Sequence, residues 1–165
     1  MKNSPDKLEM VLKPHPALKS QCIRIGFSEE LFDQYMHEWQ SLPNASVVTD
    51  GDYMDLFATS DALILDSLSF IAEYLVTGKP LCFLSKFPTF EQLADLFNDF
   101  GKKAISLVDI AYNFDEASAF IDAVCSGTAV VKEERNYFTE TMLKMNFGRA
   151  GEFVVNHILE KLRAA

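Results

Sequence analysis

Four short apolar runs, each closed by polar or turn residues, punctuate the first half of this chain: Leu8 to Leu12, Ala45 to Thr49, Ala62 to Leu65 and Leu81 to Leu84. Runs of that length read as strands, and the segments between them carry helical spacing. Glu29 to Gln40 places Leu31, Phe32, Tyr35, Met36 and Trp39 on one helical face, and Leu42-Pro43-Asn44 closes it. Asp50-Gly51-Asp52 turns into a short predicted helix from Tyr53 to Ala58, and Phe70 to Val76 is apolar at helical spacing until Gly78 and Pro80 stop it. From Ser60 to Leu84 the pattern is therefore strand, polar turn, helix and strand without a gap. Further on, Thr89-Phe-Glu-Gln92 is a capping-box pattern opening a helix with Leu93, Leu96, Phe97 and Phe100 inward, ended by Gly101. Ala104 to Ile110 predicts a fifth strand, and Asp115 to Cys125 a helix showing Phe120, Ile121 and Val124, punctuated by Gly127. Lys132 to Leu162 predicts one or two helices interrupted near Asn146-Phe-Gly148, the last presenting Phe153, Val154, Ile158 and Leu162.

Strands alternating with helical crossovers pair in parallel, so the pattern predicts an α/β fold: a Rossmann-like open parallel sheet with helices on both faces. A chain of 165 residues with no linker, repeat or low-complexity segment fits a single domain, 1–165. Hydrophobic residues make up 48% of it, enough for a core that needs no covalent staple. The formal net charge of −9, with the cations scattered, argues against a nucleic-acid partner. It leaves room for a phosphorylated small ligand held by local donors. Cys22, Cys82 and Cys125 are odd in number and far apart, which suggests neither a disulfide framework nor a metal site. The N-terminal stretch has no apolar core of a leader peptide and no apolar segment reaches membrane-span length, so the cytoplasm is the expected compartment.

In open parallel sheets ligands bind beyond the carboxyl ends of the strands. The residues there are Lys13 to His15, Asp50 to Asp52, Asp66 to Ser69, and Ser85-Lys86, which brings histidine, acid, hydroxyl and ammonium groups to one expected edge. Asp66, Ser67 and Ser69 can cap the following helix or, with its backbone N–H groups, meet an anion. His15 is held between Pro14 and Pro16, and an imidazole there can donate to phosphate or move a proton, although a solvent-facing turn histidine has the same appearance. Lys13 reads equally as a phosphate cation or as a solubilising strand-end charge. Glu73 can accept from sugar hydroxyls or lie on the surface. Lys79, beside Gly78, suits the negative end of its own helix and is assigned no chemistry. The chain has no Walker loop, dinucleotide glycine triplet, metal-ligand spacing or Gly-x-Ser-x-Gly elbow.

Taken together, Lys13-Pro14-His15-Pro16, Asp52-Tyr53-Met54-Asp55-Leu56, Asp61-Ala-Leu-Ile-Leu-Asp66-Ser67-Leu68-Ser69, Gly78-Lys79-Pro80 and Gly148-Arg-Ala-Gly-Glu152 resemble, in order, the C-terminal half of CDP-glycerol glycerophosphotransferases of the GT-B superfamily. The chain departs from that family's pattern at Leu65, Ser67 and Leu68, where Thr, Tyr and a hydroxyl residue are usual. The resemblance implies a transferase that moves a glycerol-phosphate or glycosyl group from a nucleotide-activated, CDP-linked donor to a cell-envelope polymer of the teichoic-acid type. His15 would approach the donor diphosphate as the catalytic residue. Lys13, Asp66, Ser67, Ser69 and Glu73 would bind the donor, which is a substrate, so no cofactor is implied. It further implies an acceptor half beyond this chain, carrying another catalytic histidine, so that His37 and His157 are structural and this chain binds rather than turns over. The full-length enzyme is expected in the cytoplasm or peripherally at the inner membrane face. The alternative is a non-catalytic nucleotide- or anion-binding module acting within a complex.

Overall fold

The computed structural model describes residues 8–67 and 70–164, which group into two compact units, 1–56 and 57–165. In the first unit β1 (Met10–Leu12) is followed by α1 (Leu18–Arg24), α2 (Glu29–Ser41) and β2 (Ala45–Val47). The strands pair in parallel, Met10 opposite Ala45 and Leu12 opposite Val47. Pro14 and Pro16 end β1 for lack of backbone donors. Ser28 starts α2 by accepting the Leu31 N–H on Oγ at 3.1 Å, with Glu29 and Glu30 at the positive end of the helix dipole. Helix α1 was not legible in the sequence, because it has no side-chain cap at its own N-cap residue and no buried residue. Its start is held from outside by His15. On α2, Phe32, Met36 and Trp39 are half-buried, but Leu31 and Tyr35, expected on the same apolar face, are 49% and 45% exposed. No described residue of this unit is fully buried.

α3 (Met54–Thr59) spans the unit boundary; β3 (Leu63–Leu65), α4 (Ile71–Leu75), β4 (Leu81–Leu84), α5 (Phe90–Ala94), α6 (Asp99–Ser106), β5 (Asp109–Ala111) and α7 (Phe114–Cys125) then follow. β3, β4 and β5 form a parallel sheet in that order, Leu63 opposite Leu81 and Cys82 opposite Asp109. Cys82, Ala111 and Phe120 form a buried cluster, joined by Ala62, Ile64, Ala117 and Val124, so α7 covers one face of the sheet. Alternation along β4 turns Leu81 and Phe83 to the other face, where both are also buried. The sheet is thus covered on both faces, as the α/β pattern predicts.

Two expectations are corrected in this region. The single helix from Thr89 to Gly101 is two short ones, broken where Asn98 accepts the Gly101 N–H at 2.9 Å and caps α6. Leu96 and Phe100 are accordingly 55% and 41% exposed rather than inward. Gly101 lies inside α6 and ends nothing; a Cβ there would stand 2.5 Å from Phe97 Cδ1. The fifth strand does not run from Ala104 to Ile110. Ala104 and Ile105 are buried at the end of α6, Leu107 and Val108 are buried just past it, and the strand is only Asp109–Ala111.

The remainder comprises α8 (Glu133–Phe138), a π-helical turn (Thr139–Leu143) and α9 (Ala150–Arg163), with Asn146 (φ 56°) and Gly148 (φ 74°) in the left-handed region between them. The interruption expected at Asn146-Phe-Gly148 is there. Phe153, Val154, Ile158 and Leu162 do lie on α9, all exposed. Among the described residues no helix is long and apolar enough to cross a membrane.

Candidate functional site

In the first unit, β1 delivers Lys13 and His15. The Lys13 ammonium donates to the backbone carbonyls of Asp50 and Gly51, both at 3.1 Å, and so clamps the turn after β2 to the end of β1. Gly51 sits at φ 82°, a conformation that favours glycine. Asp52 accepts the Met54 N–H at 2.9 Å and caps α3. His15 is exposed, yet its ring is not free to turn. Its Nδ1 accepts the Ala17 N–H at 3.1 Å, while its carbonyl accepts the Leu18 N–H at 2.8 Å. A nitrogen that accepts cannot carry the proton, so the neutral ring holds its hydrogen on Nε2. In that tautomer Nε2–H is the one donor of the ring.

In the second unit, β3 ends at Leu65 and hands over to Asp66 and Ser67, both exposed. Ser69 and Leu68 lie outside the described residues. Helix α4 opens at Phe70 with no side-chain cap. Glu73 is exposed on α4, while Ile71, Tyr74 and Leu75 on the same helix are buried. Lys79 does not serve the end of its own helix as expected; its ammonium donates to the carbonyls of Phe57 at 2.9 Å and Ala58 at 2.7 Å, at the carbonyl end of α3. Ser85 is absorbed in a local turn, its Oγ accepting the Phe87 N–H at 3.1 Å. His37 and His157 are exposed on α2 and α9 and touch none of these groups in any described hydrogen bond.

Residues that local pattern does not reveal surround α4. The Tyr74 hydroxyl lies 3.1 Å from Ser60 Oγ, and burial raises its pKa above the ordinary value, against the lowering effects of the Ser60 bond and Arg135. Arg135, on α8, is 2% exposed and donates through one terminal nitrogen to the carbonyls of Tyr74 and Leu75 at 3.4 and 3.5 Å. Burial lowers its pKa, and the nearby Tyr74 and Asp109 work in the opposite direction. An arginine between Glu133-Glu134 and Asn136-Tyr137 looks like a surface residue, yet its hydrogen bonds reach carbonyls some 60 positions away. Burial pushes the Cys82 thiol up to about 11. A depression of about 450 Å³ lined by Asn146, Phe147, Arg149, Glu152, Phe153 and Asn156 includes none of the strand-end groups. Among the described residues no cluster of His, Cys, Asp or Glu could hold a metal ion.

His15 follows β1 in the first unit, and Asp66 and Ser67 follow β3 in the second. The family model described as CDP-glycerol:poly(glycerophosphate) glycerophosphotransferase matches residues 2–160. The chain belongs to that family. As a member of this glycerophosphotransferase family it is a transferase-type protein, and the match takes in both units. No curated protein and no solved structure matches it.

Proposed function

We propose that this glycerophosphotransferase-family chain binds the nucleotide-activated donor, CDP-glycerol first of all, and supplies the donor side of a GT-B-type transfer to a teichoic-acid-like polymer. The observation that carries the reading is the family match over nearly the whole chain. In such a transfer the acceptor hydroxyl gives its proton to a base on the acceptor half, its oxygen bonds to the phosphorus that bears glycerol, the bond between the two phosphates breaks, and the nucleoside monophosphate leaves with the electron pair. Charge builds on the departing phosphate, so a positioned donor there lowers the barrier without covalent chemistry. His15 fits that role through Nε2–H, with its direction set by the Ala17 bond. Asp66, Ser67 and Ser69 follow β3, where ligands of parallel sheets bind, and Glu73 is an acceptor for the donor's hydroxyls. Lys13 shapes the neighbouring turn through Asp50 and Gly51 and would contact phosphate only by leaving those carbonyls. The enzyme is read as cytoplasmic, or peripheral at the inner membrane face in its full-length form, with the acceptor bound by a separate half.

Calorimetric titration with CMP, CDP, UDP and GDP tests the proposal. Saturable binding with cytidine nucleotides tightest is expected. A preference for UDP or GDP would keep the donor role and reassign the base, and heats indistinguishable from dilution with all four would overturn it.

A further inference from the structure

We infer that Arg135 is a positioning residue for the donor-binding turn: by holding the last carbonyls of α4 it fixes the helix that follows Asp66 and Ser67 and carries Glu73. The inference rests on the donor reading above. Helix α4 spans five residues, far below the length at which a helix is stable on its own, so outside contacts must set its position. Three of them lie among the described residues around α4. Phe57 meets Phe70 and Tyr74 edge-on, with ring centroids 5.5 and 5.0 Å apart. Ser60 Oγ lies 3.1 Å from the Tyr74 hydroxyl. Arg135 closes the far end with its terminal nitrogen at the Tyr74 and Leu75 carbonyls, where a cation also meets the negative pole of the helix.

Packing strength does not explain an arginine at this place. Its Nε is buried without a hydrogen-bond partner, and so is Oγ1 of Thr139 one helical turn later. Its contacts with the α4 carbonyls are longer than an ordinary N–H···O hydrogen bond. No carboxylate forms an ion pair with it among the described residues; Asp109 acts only through its field. Burying a charge is costly, and even buried ion pairs are often replaceable by apolar side chains of similar volume with no loss of stability. What methionine could not do is point a donor at two carbonyls. The guanidinium therefore specifies where α4 stands more than how tightly the unit is packed.

The experiment compares wild type with Arg135→Met and Arg135→Gln by thermal melting, by calorimetry with CMP and CDP at a temperature where each is fully folded, and by hydrogen exchange resolved along the chain. The Met variant should lose about ten-fold in nucleotide affinity, and the Gln variant, which keeps one amide donor, about three-fold. Exchange should quicken in α4 while β4 and β5 keep their protection. Wild-type affinity in either folded variant, or exchange that rises evenly across the second unit, would overturn the inference. If the Met variant does not fold, the Gln variant decides alone. If wild type itself binds no nucleotide, the donor reading fails instead, and the exchange pattern in α4 still decides whether Arg135 positions that helix.

Discussion

Substitution can split the structural role of His15 from its proposed one. Its Nδ1 holds the start of α1 through the Ala17 N–H, and Nε2–H is the donor proposed to meet phosphate. Asn at this position can present Oδ1 where Nδ1 stands but has nothing at Nε2; Gln does the reverse. His15→Asn should therefore melt within about 0.5 kcal/mol of wild type and lose roughly ten-fold in CMP or CDP affinity. His15→Gln should retain more affinity and lose about 1 kcal/mol in stability. Calorimetry and melting of the two variants check this, and equal affinity in both would remove His15 from the donor site. Cys82 makes a second, independent prediction. Its pKa rises from an ordinary 9.0 to about 11 in the fold, chiefly through burial. Between those values the unfolded thiol has lost its proton and the folded one has kept it, so unfolding releases a proton and stability falls as pH rises. The loss is complete above about 11 and absent below about 9. Two pKa units correspond to about 2–3 kcal/mol, and Cys82→Val should flatten that alkaline slope in denaturant titrations. The sequence placed His15 and Cys82 correctly, one past a proline-bounded strand and one inside an apolar run. It could not place Tyr74, Ser60 or Arg135, because their meaning lies in partners far along the chain.

Elements were legible wherever local chemistry and tertiary packing agree. Leu81–Leu84 is both β-prone and central in its sheet, and its bounds match the sequence reading. β3 is foretold in the same way, one residue shorter than its apolar run. Helix α7 carries an Asn113 cap on the Glu116 N–H at 3.0 Å, answered by the Glu116 carboxylate on the Tyr112 N–H at 2.7 Å. The failures cluster between 95 and 110. There a glycine and an apolar run suggest a stop and a strand, while Asn98 starts a new helix that runs to Ser106. Gly101 looks like punctuation because its reason for being there, the Phe97 side chain where a Cβ would stand, is a contact and not a pattern. Gly101→Ala decides between these meanings. Helix propensity alone would stabilise by up to about 1 kcal/mol, whereas crowding against Phe97 costs about 1–3 kcal/mol. With Cβ, Cγ and Cδ1 of Phe97 all within 3.1 Å of the new methyl, the clash should win and the melting temperature should fall. Asn98→Ala should cost about 1 kcal/mol by leaving the Gly101 N–H without its cap, read in the same melting experiment.

Burial is distributed unevenly over the whole molecule. The second unit holds every fully buried residue among those described, while the first has a two-stranded sheet and apolar side chains that are half-buried or exposed. Protection against hydrogen exchange follows buried apolar contact, so amides of β4 and β5 should be the slowest in the chain and those of β1 and β2 much faster. Exchange resolved by mass spectrometry checks the order, and slow exchange in β1 would contradict it. The same gradient is written in the three thiols. Cys22 in α1 and Cys125 at the end of α7 are half-buried, whereas Cys82 is 1% exposed at the centre of the sheet. An alkylating reagent should consume the first two directly and reach the third only when β4 parts from its neighbours. At reagent concentrations where closing outruns modification, the rate at Cys82 measures the free energy of that opening. The chain thus carries a native chemical clock for its own core, readable without any introduced probe, and a ligand that stabilises the second unit would slow it.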